Sequence, residues 1–166
     1  MKTVIIGLGN PILSDDSVGV VVSRKIRDRL RERGDANMTA DEIDVKEVYA
    51  GGIRLMDAMI GYDRAWVIDA MVTGKHQPGT IVSLSTHDLC STRNIVCTHD
   101  TNLDTALVLG RMLGVHLPAK VMVWGIEASD VESFSEKLSD EVFQSVPLAV
   151  EKIIYDLNHY SDREVL

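Results

Sequence analysis

The chain has 166 residues, enough for one domain with a sizeable core. Its composition, 45% hydrophobic and 25% charged, is that of a globular protein. A formal net charge of −8 argues against sequence-independent nucleic-acid binding and against anchoring on anionic membranes, since both rely on clustered Lys and Arg.

No apolar run approaches the roughly 18 residues that cross a bilayer. The opening stretch MKTVIIGLGN is too short in apolar residues for a secretory signal and reads as a first strand over residues 3–6. A loop follows, GLGNPILSDDSVGV, at residues 7–20. Val18, Val22, Ile26 and Leu30 then recur every four residues with Arg and Lys between them, which predicts a helix closed by Gly34. The polar stretch RERGDANMTADEID is an exposed connection. A second strand is expected over residues 43–49, a short helix over 54–60 and a third strand over 65–70. A fourth strand follows over 80–84. A helix over 103–113 should stop at Gly114, with Pro118 beyond it, and a fifth strand covers 121–126. The last helix spans about 140–157, with Val142, Val146, Val150 and Ile154 on one face. Pro147 should kink or break it.

Short β-branched runs alternating with amphipathic stretches define an α/β fold with a largely parallel sheet. The near-continuous apolar character of several strands fits a sheet covered on both faces. We expect a single-domain three-layer sandwich over residues 1–160, its twisted, mostly parallel five-stranded sheet flanked by helices, and a frayed polar tail at 161–166. Cys90 and Cys97 match no zinc spacing, and one pair is too little for a disulfide scaffold. They read as thiols in a reducing compartment, so a cytoplasmic location is expected.

In open α/β sheets, ligands meet the carboxyl ends of the strands. That edge collects Asp15 and Asp16 after the first strand, AGG at residues 50–52 after the second and Asp69 closing the third. His99 and Asp100 in CTHDTN precede the third helix, and Glu127 follows the fifth strand. Gly7 and Gly9 supply two glycines of a dinucleotide fingerprint, but its third position is Ile12. The two aspartates would also stand where a pyrophosphate needs N–H donors, so a nucleotide reading is disfavoured.

Acidic residues at a helix start offset orphan N–H groups by about 0.3–1 kcal/mol each. One suffices, and Asp15 is the better cap while Asp16 is freer to face the cleft. Asp69 ends an almost wholly apolar strand, so it must be paired, protonated or metal-bound to offset its desolvation. His76, His87, His116 and His159 read as structural or surface residues, whereas His99 lies on the ligand edge. Two carboxylates and an imidazole suit a first-row divalent ion with open positions.

The segments GLGNPILSDDSVGV, WVIDA, PGTIVSLS, CTHDTNL and GIEASD…FSEKLSDEV resemble, in order, the hydrogenase maturation protease family. These endopeptidases trim the large subunit of nickel–iron hydrogenases. The resemblance implies a phosphorylase/hydrolase-like fold and places the three metal-contacting positions at Asp16, Asp69 and His99. Asp16 and Asp69 would also be the catalytic carboxylates. The implied substrate is a large-subunit precursor with nickel already inserted, and nickel is the implied metal, supplied by that precursor. Other divalent ions could occupy the same site. Asp100 and Glu127 are further candidates for orienting ligands or meeting substrate. Many members carry a Gly-Gly-Thr type loop after the second strand where this chain reads VYAGGIR. The chain is expected to act as a monomer, without nucleic acid or membrane.

Two alternatives compete. GLGNP also opens peptidyl-tRNA hydrolases, but the tyrosine and the Thr-Arg-His-Asn segment of those enzymes are missing here. A non-catalytic nickel- or precursor-binding chaperone would use the same three ligands.

Overall fold

The computed structural model describes residues 1–32, 42–84 and 103–159. Five strands, β1 (Lys2–Leu8), β2 (Glu42–Val48), β3 (Arg64–Met71), β4 (Ile81–Leu84) and β5 (Lys120–Glu127), form one sheet in the order β2-β1-β3-β5-β4. Only β4, at one edge, runs antiparallel to its neighbour among these pairings. Among the described residues, four α-helices cover the sheet: α1 (Val18–Glu32), α2 (Gly52–Met59), α3 (Leu103–Met112) and α4 (Asp140–His159).

Alternation along the strands splits the core in two. Ile5, Trp66, Ile68 and Ile126 face α1 and α4, burying Val18, Val22, Ile26, Val142, Val146 and Ile153. Val4, Ile6, Leu8, Val67 and Val123 face α2 and α3 and bury Leu55, Met59, Leu103 and Ala106. The central strands are apolar on both faces because helices cover both, and β3 is buried throughout its eight residues. This is the expected three-layer sandwich.

The strands expected at 3–6, 43–49, 65–70, 80–84 and 121–126 all form, with boundaries shifted by at most two residues. The second helix starts earlier than expected, at Gly52. The third ends at Met112, and Gly114 with φ +72° closes it by donating to the carbonyl of Arg111 at 3.0 Å. Gly34, Cys90, Cys97, His87, His99, Asp100 and the polar tail lie outside the described residues.

Of the kink or break expected at Pro147, the break does not occur: α4 runs unbroken from Asp140 to His159. Pro147 sits on the exposed face, where water can satisfy the carbonyl its missing N–H leaves open. Meanwhile Val146, Ala149 and Val150 remain anchored in the core on either side of it.

Candidate active site

From β1 the chain moves outward to β2 and then returns across β1 to β3, so the strand order reverses between β1 and β3. Such a switch point opens a crevice at the carboxyl ends of the two strands. Asp16 lies on the loop leaving β1, and Asp69 lies near the end of β3.

Tight backbone packing seats the turn that carries Asp16 against β3, the strand that carries Asp69. Asp15–Ser17 forms a single 3-10 turn that packs on β3 and runs into α1. A Cβ on Gly19, in the first turn of α1, would stand 2.4 Å from the carbonyl oxygen of Leu8 and 2.2 Å from that of Ile68. Only a glycine lets α1 seat on both strand ends. Gly9, with φ +141°, approaches the carbonyl of Asp16 just as closely, and an added Cβ there would stand 1.9 Å from that oxygen. A Cβ on Gly7 would likewise stand 2.5 Å from the Gly19 carbonyl oxygen, so Gly7 and Gly9, the two glycines that resembled a phosphate loop, serve close backbone packing.

Both carboxylates are buried, Asp69 completely and Asp16 to within 2%. Asp16 Oδ2 accepts the Asn10 amide at 2.8 Å, folding the loop back on its own acidic residue. Asp69 Oδ1 accepts the Ala70 amide at 2.9 Å. Burial of two carboxylates at a switch point is costly unless something there requires them, because the desolvation of each charge must be offset by polar or ionic partners. Such oxygens are suited to holding a divalent cation or taking a proton from water. The third expected ligand, His99, lies outside the described residues, as does Asp100. Among the described residues no three His, Cys, Asp or Glu side chains form a group able to hold a metal ion.

One acidic residue takes a role that differs from the one expected. Asp15 does not cap the following helix. Its carboxylate accepts the amides of Ser129, Asp130 and Ser139 and the hydroxyl of Ser139, all between 2.7 and 2.9 Å. Those donors lie over a hundred positions away in the sequence, which is why local spacing pointed to a cap. Glu127, 2% exposed, accepts the amides of Thr73 and Gly74 and the hydroxyl of Thr73, each at 2.8 Å. It clamps the turn after β3 to the end of β5. The small, polar composition of ASDVESFSEKLSD was the available signal for Asp15, since free amides and hydroxyls there need an acceptor.

The histidines within the described residues behave as surface groups. His76 is exposed, His116 Nε2 lies 3.2 Å from Asp63 Oδ1, and His159 stacks on Tyr155 with ring centroids 4.0 Å apart. The Lys2 amide and His116 together hold the Asp63 carboxyl below its ordinary range.

A mostly parallel α/β sandwich with buried carboxylates at its switch point defines a class of single-domain proteins whose ligand sits at the strand ends. The model of the hydrogenase maturation protease family HycI matches residues 20–156. The chain is 24% identical over 133 residues to the hydrogenase 2 maturation protease of Escherichia coli K12, covering 80% of this chain and 76% of that protein. The hydrogenase maturating endopeptidase HybD from E. coli superposes with a TM-score of 0.73 at 21% identity, over 96% of this chain and 94% of that one. The NiFe hydrogenase maturation protease HybD from Thermococcus kodakarensis superposes with a TM-score of 0.69 at 27% identity, over 95% and 99%. The chain belongs to the hydrogenase maturation protease family, and it is a peptide-bond hydrolase of hydrogenase maturation.

Proposed function

We propose that the protein removes the C-terminal extension of a nickel–iron hydrogenase large-subunit precursor after nickel insertion, reading the inserted nickel through Asp16, Asp69 and His99. The observation that carries this reading is the burial of Asp16 and Asp69 at the carboxyl ends of β1 and β3, between which the strand order reverses. Buried carboxylate oxygens fit the donor set that a borderline divalent ion accepts, completed by the imidazole of His99.

Nickel here belongs to the substrate, and its chemistry would be to polarise the scissile carbonyl or lower the pKa of an attacking water. The chain's own groups bind and orient. One carboxylate takes a proton as water adds to the carbonyl carbon, and the proton passes to the leaving amine as the C–N bond breaks. Their exclusion from bulk solvent strengthens each electrostatic contact in the crevice. The protein would work as a monomer in the cytoplasm, where its precursor is assembled. No helix among the described residues is long and apolar enough to cross a membrane.

The test mixes purified protein with nickel-loaded and with nickel-free precursor and follows the C-terminal mass by spectrometry. Loss of the extension from the nickel-loaded form alone is expected. Equal cleavage of both forms would overturn nickel recognition, and cleavage of neither would overturn the assignment to that precursor.

A further inference from the structure

Asp15 is completely buried, and its carboxylate serves no group of its own turn. Oδ1 accepts the Ser139 amide at 2.7 Å, while Oδ2 accepts the amides of Ser129 and Asp130 and the Ser139 hydroxyl at 2.8–2.9 Å. Its own amide donates to the Asp130 carbonyl at 2.8 Å. Both ends of the segment between β5 and α4 therefore close on one side chain.

Between those ends the segment is stitched to the opening loop. The Ser14 amide donates to the Ser133 carbonyl and the Ser135 amide to the Ile12 carbonyl, each at 3.1 Å. The Ser14 hydroxyl donates to the Lys137 carbonyl at 3.1 Å, and Leu13 and Phe134 form an isolated antiparallel bridge. These contacts bracket the 3-10 turn that carries Asp16. Four donors match the lone-pair capacity of an ionised carboxylate, whereas an amide would turn two N–H groups toward donors.

We infer that Asp15 is a positioning residue for peptide-bond cleavage: by gathering residues 129–139 onto the opening loop, it fixes the direction in which Asp16 presents its carboxylate. The inference rests on the reading of Asp16 as a site residue. Asp15 itself stays behind the site, with its oxygens engaged by protein donors. The Asn10 amide, which donates to Asp16 Oδ2, reports the position of that carboxylate independently of activity.

The test compares wild type, Asp15→Asn and Ser139→Ala in two readouts. One is processing of a nickel-loaded hydrogenase large-subunit precursor, and the other is amide hydrogen exchange. For Asp15→Asn, kcat should fall by about a hundredfold, the effect of a roughly 1 Å misplacement, while KM stays within about threefold. Exchange at the Asn10 amide should accelerate while the amides of β1 and β3 stay protected. Ser139→Ala, which removes one donor of four, should change both readouts in the same direction by a smaller factor. It also decides the matter should Asp15→Asn lose strand protection and fail to fold. Unchanged kcat and unchanged Asn10 exchange would overturn the inference, as would a rise in KM alone, which marks a substrate contact. Accelerated Asn10 exchange in a protein whose wild type cleaves no precursor would sustain the positioning role while defeating the proposed substrate.

Discussion

Gly19 and Ile68 meet backbone to backbone: a Cβ on Gly19 would lie 2.2 Å from the Ile68 carbonyl oxygen. That contact seats the first turn of α1 on the end of β3, one residue before Asp69 and three after Asp16. Gly19→Ala should therefore force α1 off the sheet and destabilise the protein by about 1–3 kcal/mol. Thermal unfolding measures the loss, and an unchanged Tm would mean that the helix can slide without cost.

Asp16→Asn and Asp69→Asn should each lower precursor cleavage by at least about a hundredfold, the lower range for loss of a positioned acid–base group. His99→Ala should do the same. Far-ultraviolet circular dichroism should match wild type, because the asparagines keep the shape of the side chains they replace. A variant that processes precursor at near wild-type rate would remove its residue from the site.

Glu127 holds the turn after β3 through three hydrogen bonds, two of them to backbone amides. Glu127→Ala leaves those amides without their acceptor, at a cost of about 1–3 kcal/mol. Hydrogen exchange should rise at Thr73 and Gly74 while the interior of β3 keeps its protection. If those two amides remain as protected as in wild type, the clamp is not what holds the turn.

A pH dependence follows from Glu47. The Arg24 guanidinium bonds it in two places, at 2.7 and 2.9 Å, and holds its carboxyl below the usual range. A folded pKa below the unfolded one contributes stability above the ordinary carboxylate range, lost as pH falls through the lowered value. Because Arg24 is half-exposed, Glu47→Gln should cost about 0.2–1 kcal/mol at neutral pH. The difference from wild type should vanish in acid, as denaturant titrations at the two pH values would reveal. A difference that persists in acid would assign the effect to packing.

Tyr62 titrates in the opposite direction. Burial, helped by its hydrogen bond to Asp44 at 2.6 Å, pushes its phenol up to about 12. Stability from the neutral phenol is present below the ordinary tyrosine range and is lost as pH rises toward that value. Subtracting the phenolate absorbance titration of Tyr62→Phe from that of wild type should isolate one group with a midpoint at about 12. A midpoint at the ordinary phenol value would place Tyr62 in contact with water.

Much of the fold was legible because it is local. Val18, Val22 and Ile26 repeat at helical spacing, and each enters the core. The unbroken apolar run of β3 correctly announced a strand covered on both faces. Pro147 does not interrupt the helix, because α4 is anchored in the core on both sides of it.

The order of elements, the α/β class and the candidate residues Asp16 and Asp69 follow from residue order alone, through periodicity and a charge set against an apolar strand. The partners of Asp15, Asp16 and Glu127 at the sheet edge become visible only in the folded chain. Asp15 and Asp16 are neighbours in the chain, yet one ties down a segment 114 to 124 positions away and the other faces back to Asn10. Glu127 likewise finds its partners 53 and 54 positions away. Propensity and periodicity are set by residues a few positions apart, whereas a buried carboxylate is satisfied by whichever amides the folded chain brings within about 3 Å. The division of labour between the two adjacent aspartates therefore exists only once β5, its following segment and the opening loop have packed together.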